Sequence, residues 1–124
     1  MITGIGLDIC EIARMERKLQ DERFLNRFFT EDEIAYIRSR GAAAAQTLAG
    51  IFASREAIAK ALGGGIDFEM KEAEVIHDSK GKPYYRLSGS LARRAAGNRF
   101  FLSITHDGGV AAAVCIREKT QESE

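Results

Sequence analysis

The sequence predicts an α+β fold in which a mostly antiparallel sheet packs on one central helix. Three observations carry this. Several short segments read as strands, among them ITGIGLDI, YYRL, FFLSITH and VAAAVCI. One long alanine-rich run, AAAAQTLAGIFASREAIAKALGGG, is apolar enough to be a buried helix. Two pairs of strand-like segments are joined by short glycine turns, which makes hairpins.

The elements follow in order. In the first strand, Ile5, Leu7 and Ile9 fall on one face and Gly4, Gly6 and Asp8 on the other. Two glycines beside a carboxylate make an odd core face, and they leave room for something to approach the backbone. EIARMERKLQDERFLNRFF reads as one or two charged helical pieces with an apolar edge at Phe24, Leu25 and Phe28. Thr30 to Glu33 fits a capping box for a helix that runs to about Arg40 and stops at Gly41. The central helix ends at Gly63-Gly64-Gly65. FEMKEAEVIHD reads as a strand, Ser79-Lys80-Gly81 as a turn, and Pro83 as the start of the return strand. SGSLARRAAGN reads as a short helix with a serine cap. FFLSITH and VAAAVCI form the last hairpin around Asp107-Gly108-Gly109, and the polar EKTQESE is expected to fray.

Composition sets limits. The 124 residues suit one domain over 1–124, and 45% hydrophobic residues support a core. A domain of this size has little room for a deep pocket, so a large ligand calls for a site shared between subunits. Lys plus Arg is 18 and Asp plus Glu is 18, so nothing global argues for nucleic acid or an anionic membrane. Cys10 and Cys115 lie in apolar strand-like segments and read as buried, reduced thiols. No signal peptide and no membrane-length apolar run is present, so the expectation is a cytoplasmic protein.

The chemistry is local. Asp8, near a strand end, is either a helix cap or solvated carboxylate, or a ligand. Glu56 and Lys60 lie four apart on an otherwise apolar helix. A surface ion pair is the ordinary outcome of that spacing. On a mostly buried helix, however, a carboxylate needs a partner or a metal. Asp8 with Glu56 would suit Mg2+, which takes one or two carboxylates plus water and phosphate oxygens. Lys60 would then meet the same phosphates. Gly63 to Gly65 serve either as a plain helix stop or as a close approach for a ligand. His106 reads as a structural histidine or a site residue. The basic stretch Arg14 to Arg27 is either a solvated face or a dock for an acidic partner helix, with Phe24 as its apolar anchor. No zinc spacing and no serine-nucleophile constellation is present.

Taken together, GIGLDI with Arg14, FASREAIAKALGGGI, GKP at Gly81 to Pro83 and SITHDGGVAAA resemble the holo-[acyl-carrier-protein] synthases, small phosphopantetheinyl transferases. The four motifs span nearly the whole chain in order. The resemblance implies the fold of that family and Mg2+-dependent transfer of 4′-phosphopantetheine from coenzyme A to a serine of apo acyl carrier protein. It implies a homotrimer with active sites between subunits. By resemblance, Asp8 and Glu56 match the metal ligands, and Lys60 the lysine on the pyrophosphate. Gly64, Lys82, Pro83 and His106 match coenzyme A contacts, His106 near the 3′-phosphate. Arg14, Arg23, Phe24 and Arg27 match the carrier-protein dock. Three departures stand out: Ile51 where the family often has a basic residue, Asp107-Gly108-Gly109-Val110 after the histidine, and Asp21 and Glu22 in the basic helix. Three rival readings are a coenzyme A pyrophosphohydrolase, a non-catalytic binding module for coenzyme A or a carrier protein, and a structural α+β interaction domain whose carboxylates bind no metal.

Overall fold

The computed structural model describes residues 1–120; residues 121–124, part of the segment expected to fray, lie outside them. The elements are β1 (Ile2–Glu11), α1 (Ile12–Lys18), α2 (Glu22–Phe28), α3 (Glu31–Ser39), α4 (Ala44–Leu62), β2 (Ala73–His77), β3 (Pro83–Leu87), α5 (Gly89–Arg94), β4 (Asn98–Asp107) and β5 (Val110–Lys119). An antiparallel sheet has the strand order β1-β5-β4, and β2 with β3 forms a separate antiparallel hairpin. The α+β class read from the sequence is the observed one.

The two glycines of β1 explain how the sheet meets its helix. A Cβ at Gly4 would stand 2.1 Å from the Ala61 carbonyl oxygen, and one at Gly6 would stand 1.8 Å from that of Ala57. What approaches the strand is therefore α4 itself. Two strand residues advance about 7 Å and four helix residues about 6 Å, so the two rows stay in step. On β5, the small residues Ala111, Ala113 and Cys115 are fully buried under the same helix. A Cβ at Gly50 would meet the Ile104 Cγ2 at 2.8 Å, which puts the front half of α4 over β4. The helix thus crosses the sheet from β4 to β1.

This contact reverses the usual burial of an alternating strand. The glycine face is covered, and the apolar face is open: Ile5 is 65% exposed, Leu7 60%, Ile9 65% and, from β4, Phe101 49%.

Local signals explain most boundaries. Thr30 and Glu33 form the capping box, with the hydroxyl accepting from the Glu33 N–H at 3.1 Å and the carboxylate from the Thr30 N–H at 3.0 Å. Gly41 opens a short 3-10 turn before α4 rather than a plain stop. The expected strand over 68–78 is shorter, because residues 70–72 make a 3-10 turn first. That turn has a purpose. Glu72 accepts from the backbone N–H groups of Ser90 at 3.3 Å and Leu91 at 3.1 Å, and from the Ser90 hydroxyl at 2.9 Å. Glu72 caps α5, and the expected serine cap, Ser88, makes no side-chain cap bond. The Ser90 hydroxyl, followed by the backbone donors, holds the Glu72 carboxyl below its usual range. The last hairpin turns at Gly108 and Gly109, both at positive φ (60° and 83°), as a two-residue turn between right-twisted strands requires. Cys10 and Cys115 are free and buried as expected, and burial pushes the Cys115 thiol up to about 12.

Candidate active site

Between Leu48 and Ala61 every residue of α4 is buried except Phe52, Glu56 and Lys60. These three recur every fourth position, so they form one stripe along the helix. The acid and base of the stripe do not pair with each other, contrary to the local ion-pair expectation. The Lys60 ammonium instead donates to the Asp8 Oδ1 at 3.2 Å and to the Leu7 carbonyl at 3.0 Å. The reason is geometric. Helical side chains lean toward the N-terminus, and α4 lies antiparallel on β1, so Lys60 leans along the strand toward Asp8. β1 is an edge strand, so a carbonyl on its outer side is available. Asp8 is no cap for α1, whose N-cap is Glu11.

The Glu56 carboxylate has no hydrogen-bond or ion-pair partner among the described residues. A half-buried carboxylate left unpaired is costly unless a cation or another partner meets it. No group of three or more His, Cys, Asp or Glu side chains that could hold a metal occurs among the described residues. A tetrahedral zinc cage is therefore a poor match. Two carboxylates with water and phosphate oxygens completing the shell fit Mg2+ better. Ahead of Glu56 on the stripe, Phe52 carries the Arg14 guanidinium 5.3 Å from its ring centre. The structure thus brings Asp8, Glu56, Lys60 and Arg14 along one edge.

The remaining predicted residues lie elsewhere. His106 and Pro83 line a groove of about 210 Å3 with Gly81, at the opening of the β2–β3 turn. Lys82 sits in that turn, its backbone N–H held by Asp78 at 2.9 Å. Gly64 follows the αL cap residue Gly63 at the far end of α4, and the loop beyond is tied by the Arg94–Asp67 ion pair. Arg23, Phe24 and Arg27 line a wide, open depression along α2. Phe24 is half-buried, edge-on to Phe28 at 5.3 Å, with the Lys18 ammonium 5.0 Å above it. It shapes that surface more than it protrudes as a free anchor. Arg14 and Lys18 share one face of α1 and so connect the α4 stripe to α2.

The sheet register shows how far apart the two clusters lie. Asp8 is in a row with Ala113 and Ile104, and Cys10 with Ala111 and His106. His106 therefore faces the same side as Asp8, two strands away, about 10 Å across the sheet and about 7 Å along it. Gln46, Thr47 and Gly50, which line the His106 groove, occupy a different flank of α4 from the stripe. Within one chain the predicted phosphate-end and metal-end residues do not share a pocket. The His106 side chain is exposed and makes no hydrogen bond among the described residues, so it is not the satisfied structural imidazole that is one of its two readings. Tyr36, Arg40, Thr47 and His77, which complete the groove, carry no motif. They come from three elements, and only tertiary folding gathers them.

Residues 4–115 match the model of the 4′-phosphopantetheinyl transferase superfamily. The chain belongs to that superfamily. The transferase is 41% identical to the holo-[acyl-carrier-protein] synthase of Treponema denticola over 95% of this chain and 99% of that protein. Its fold matches the crystal structure of the Neisseria meningitidis holo-[acyl-carrier-protein] synthase with a TM-score of 0.84, at 31% identity over 96% of this chain and 100% of that one. It also matches the Bacillus anthracis synthase solved in complex with coenzyme A (3′,5′-ADP), with a TM-score of 0.80 at 33% identity over 98% and 99% of the two chains.

Proposed function

We propose that this chain, as one phosphopantetheinyl transferase domain, moves the 4′-phosphopantetheine group of coenzyme A onto a serine of apo acyl carrier protein. The other product is adenosine 3′,5′-bisphosphate. The observation that carries the reading is the open stripe of α4, where Lys60 rests on Asp8 and Glu56 is left unpaired. Asp8 and Glu56 would hold Mg2+, which when bound offsets negative charge on the pyrophosphate. Lys60 is half-exposed and free to swing from Asp8 onto the same phosphate oxygens. The serine oxygen bonds to the phosphorus that carries the pantetheine arm. The bond from that phosphorus to the bridging oxygen breaks, and its electrons leave with the nucleotide. The serine proton passes to Glu56, the carboxylate that Lys60 leaves free. Arg14, Arg23 and Arg27 meet the acidic carrier, with Phe24 shaping the surface between them. Both cysteines are free thiols, which suits work in the cytoplasm.

Coenzyme A must reach from the metal end to Gly81, Pro83 and His106, which sit on another flank of the same chain. A site between copies satisfies this, and the open row Ile5, Leu7, Ile9 and Phe101 supplies an apolar surface for a homotrimer. Leu7→Lys is expected to leave the monomer folded, because the side chain is 60% exposed. It should cost the assembly about 2 kcal/mol or more per interface. Sedimentation should then show monomers with little transferase activity. A fully active monomer, wild type or variant, would sink the shared site.

The reading is tested by intact mass spectrometry of an apo acyl carrier protein mixed with this chain, coenzyme A and Mg2+. The expected result is a gain of one phosphopantetheine, abolished by a chelator. Free phosphopantetheine with unmodified carrier would point to a pyrophosphohydrolase. Bound coenzyme A without turnover would point to a binding module.

A further inference from the structure

The depression along α2 carries acids among its bases. Its charged lining is Asp21, Glu22, Arg23 and Arg27, so its formal charge is zero. An acidic partner would meet no net attraction there if all four charges were equally free. They are not. The Asp21 Oδ1 accepts from the Phe24 N–H at 3.0 Å and caps α2, so its charge is turned into the start of the helix. The Glu22 Oε2 accepts from the Arg38 Nη2 at 2.5 Å. Arg38 lies in the last turn of α3, outside the lining of the depression. Arg23 and Arg27 have no ion pair among the described residues. The Arg27 guanidinium rests 5.2 Å from the Phe28 ring centre, which leaves its N–H donors open. The depression thus presents two free cations, and one of its two masked acids is masked from a different helix. Both side chains of the Arg38–Glu22 pair are more than half exposed, at 51% and 65%. Such a pair contributes little to stability, so its effect is on the field that the surface presents.

We propose that Arg38 is a specificity-determining residue for the protein partner. By neutralising Glu22 it keeps the α2 surface positive and suited to an acidic helix of the carrier protein. The inference rests on the reading that this surface docks the carrier. Asp21 and Glu22, a departure in sequence, then leave the dock basic for as long as Arg38 is present.

The test measures kcat and KM for an apo acyl carrier protein, and KM for coenzyme A, with the full chain as wild type, Arg38→Gln, Glu22→Gln and the double variant. Arg38→Gln bares the Glu22 charge. It is expected to raise KM for the carrier about three- to fivefold, the scale of one exposed charge, with kcat and KM for coenzyme A unchanged. Glu22→Gln should lower the carrier KM by a similar factor, and the double variant should return to within about twofold of wild type. Arg38→Lys keeps the charge and should stay near wild type. Higher ionic strength should shrink every difference. If Arg38 touched the carrier directly, Glu22→Gln would change nothing and the double variant would stay as weak as Arg38→Gln. If the pair only tied α2 to α3, both single variants and the double would be weak alike. Either pattern, or no change in any variant, overturns the proposal. Titration of the same four chains with the carrier tests the reading beneath it. Wild type that binds the carrier without modifying it removes the transferase reading, and the binding comparison still decides the role of Arg38. Wild type that neither binds nor modifies the carrier overturns the dock and the proposal together.

Discussion

Glu56→Ala is expected to lower transfer of phosphopantetheine by about 10²- to 10³-fold, the usual cost of removing one group aimed at charge in the transition state. The fold should not notice, because the Glu56 side chain makes no hydrogen bond or ion pair among the described residues. Its melting temperature should shift by no more than an ordinary surface change, about 0.5 kcal/mol or less. Asp8→Ala should match it in activity. The pair separates from Lys60→Ala in one respect. Both carboxylate variants should need more Mg2+ to reach their residual rate, and Lys60→Ala should raise KM for coenzyme A at an unchanged Mg2+ requirement. Rates come from the mass gain of the carrier protein across a Mg2+ series. Glu56→Ala working at the wild-type rate would remove both the metal site and the proton acceptor from the proposal.

This split between activity and stability follows from what the sequence could and could not reveal. The spacing of Glu56 and Lys60 placed both on one helix face, and that was correct. The local rule then pairs them, because it counts only neighbours on the same helix. The true partner of Lys60 is 52 residues away on β1, brought within reach because Gly4 and Gly6 admit the α4 backbone. The glycine face was legible as room for a close approach, but the sequence does not say what approaches. The exposure of Ile5, Leu7 and Ile9 follows from the same contact. Once the glycine side of β1 is taken by the helix, the apolar side has no layer of its own chain to cover it.

Motifs located Gly81, Pro83 and His106 because those residues sit in contiguous signatures. Tyr36, Arg40 and His77 have no such signature. Each is an ordinary residue at the end of an element, and their stack exists only after α3 packs on the β2–β3 hairpin. The capping box shows the same limit. Thr30 and Glu33 announce the start of α3, yet the larger task of Glu33 is tertiary.

That task leads to the largest expected loss of stability. The side chains of Glu33 and Arg55 are both fully buried and ion-paired through Glu33 Oε1 and Arg55 Nη2. Arg55 also donates from Nε to the Ala73 carbonyl at 2.7 Å and from Nη1 to that of Phe28 at 2.8 Å. The second oxygen of Glu33 accepts from the Val75 N–H at 2.8 Å. One ion pair thus joins α2, α3, α4 and β2. Arg55→Met leaves Glu33 buried without its counter-charge and orphans two carbonyls. The expected cost is about 3–5 kcal/mol, a large share of the roughly 5–15 kcal/mol that holds a typical domain together. Glu33→Leu strands Arg55 instead and should cost a similar amount. In the double variant no charge is left unpaired, so it should be much less unstable than the sum of the two singles. Urea unfolding of the three variants measures this coupling. Arg55→Met within about 1 kcal/mol of wild type would show that the buried pair does not hold these elements together. The consequence reaches the candidate site, since Arg55 precedes Glu56 on α4. Anchoring Arg55 into the core fixes the rotation of the helix, and that rotation turns Glu56 and Lys60 toward Asp8. Arg55→Met should therefore lose transferase activity even at temperatures where it remains folded.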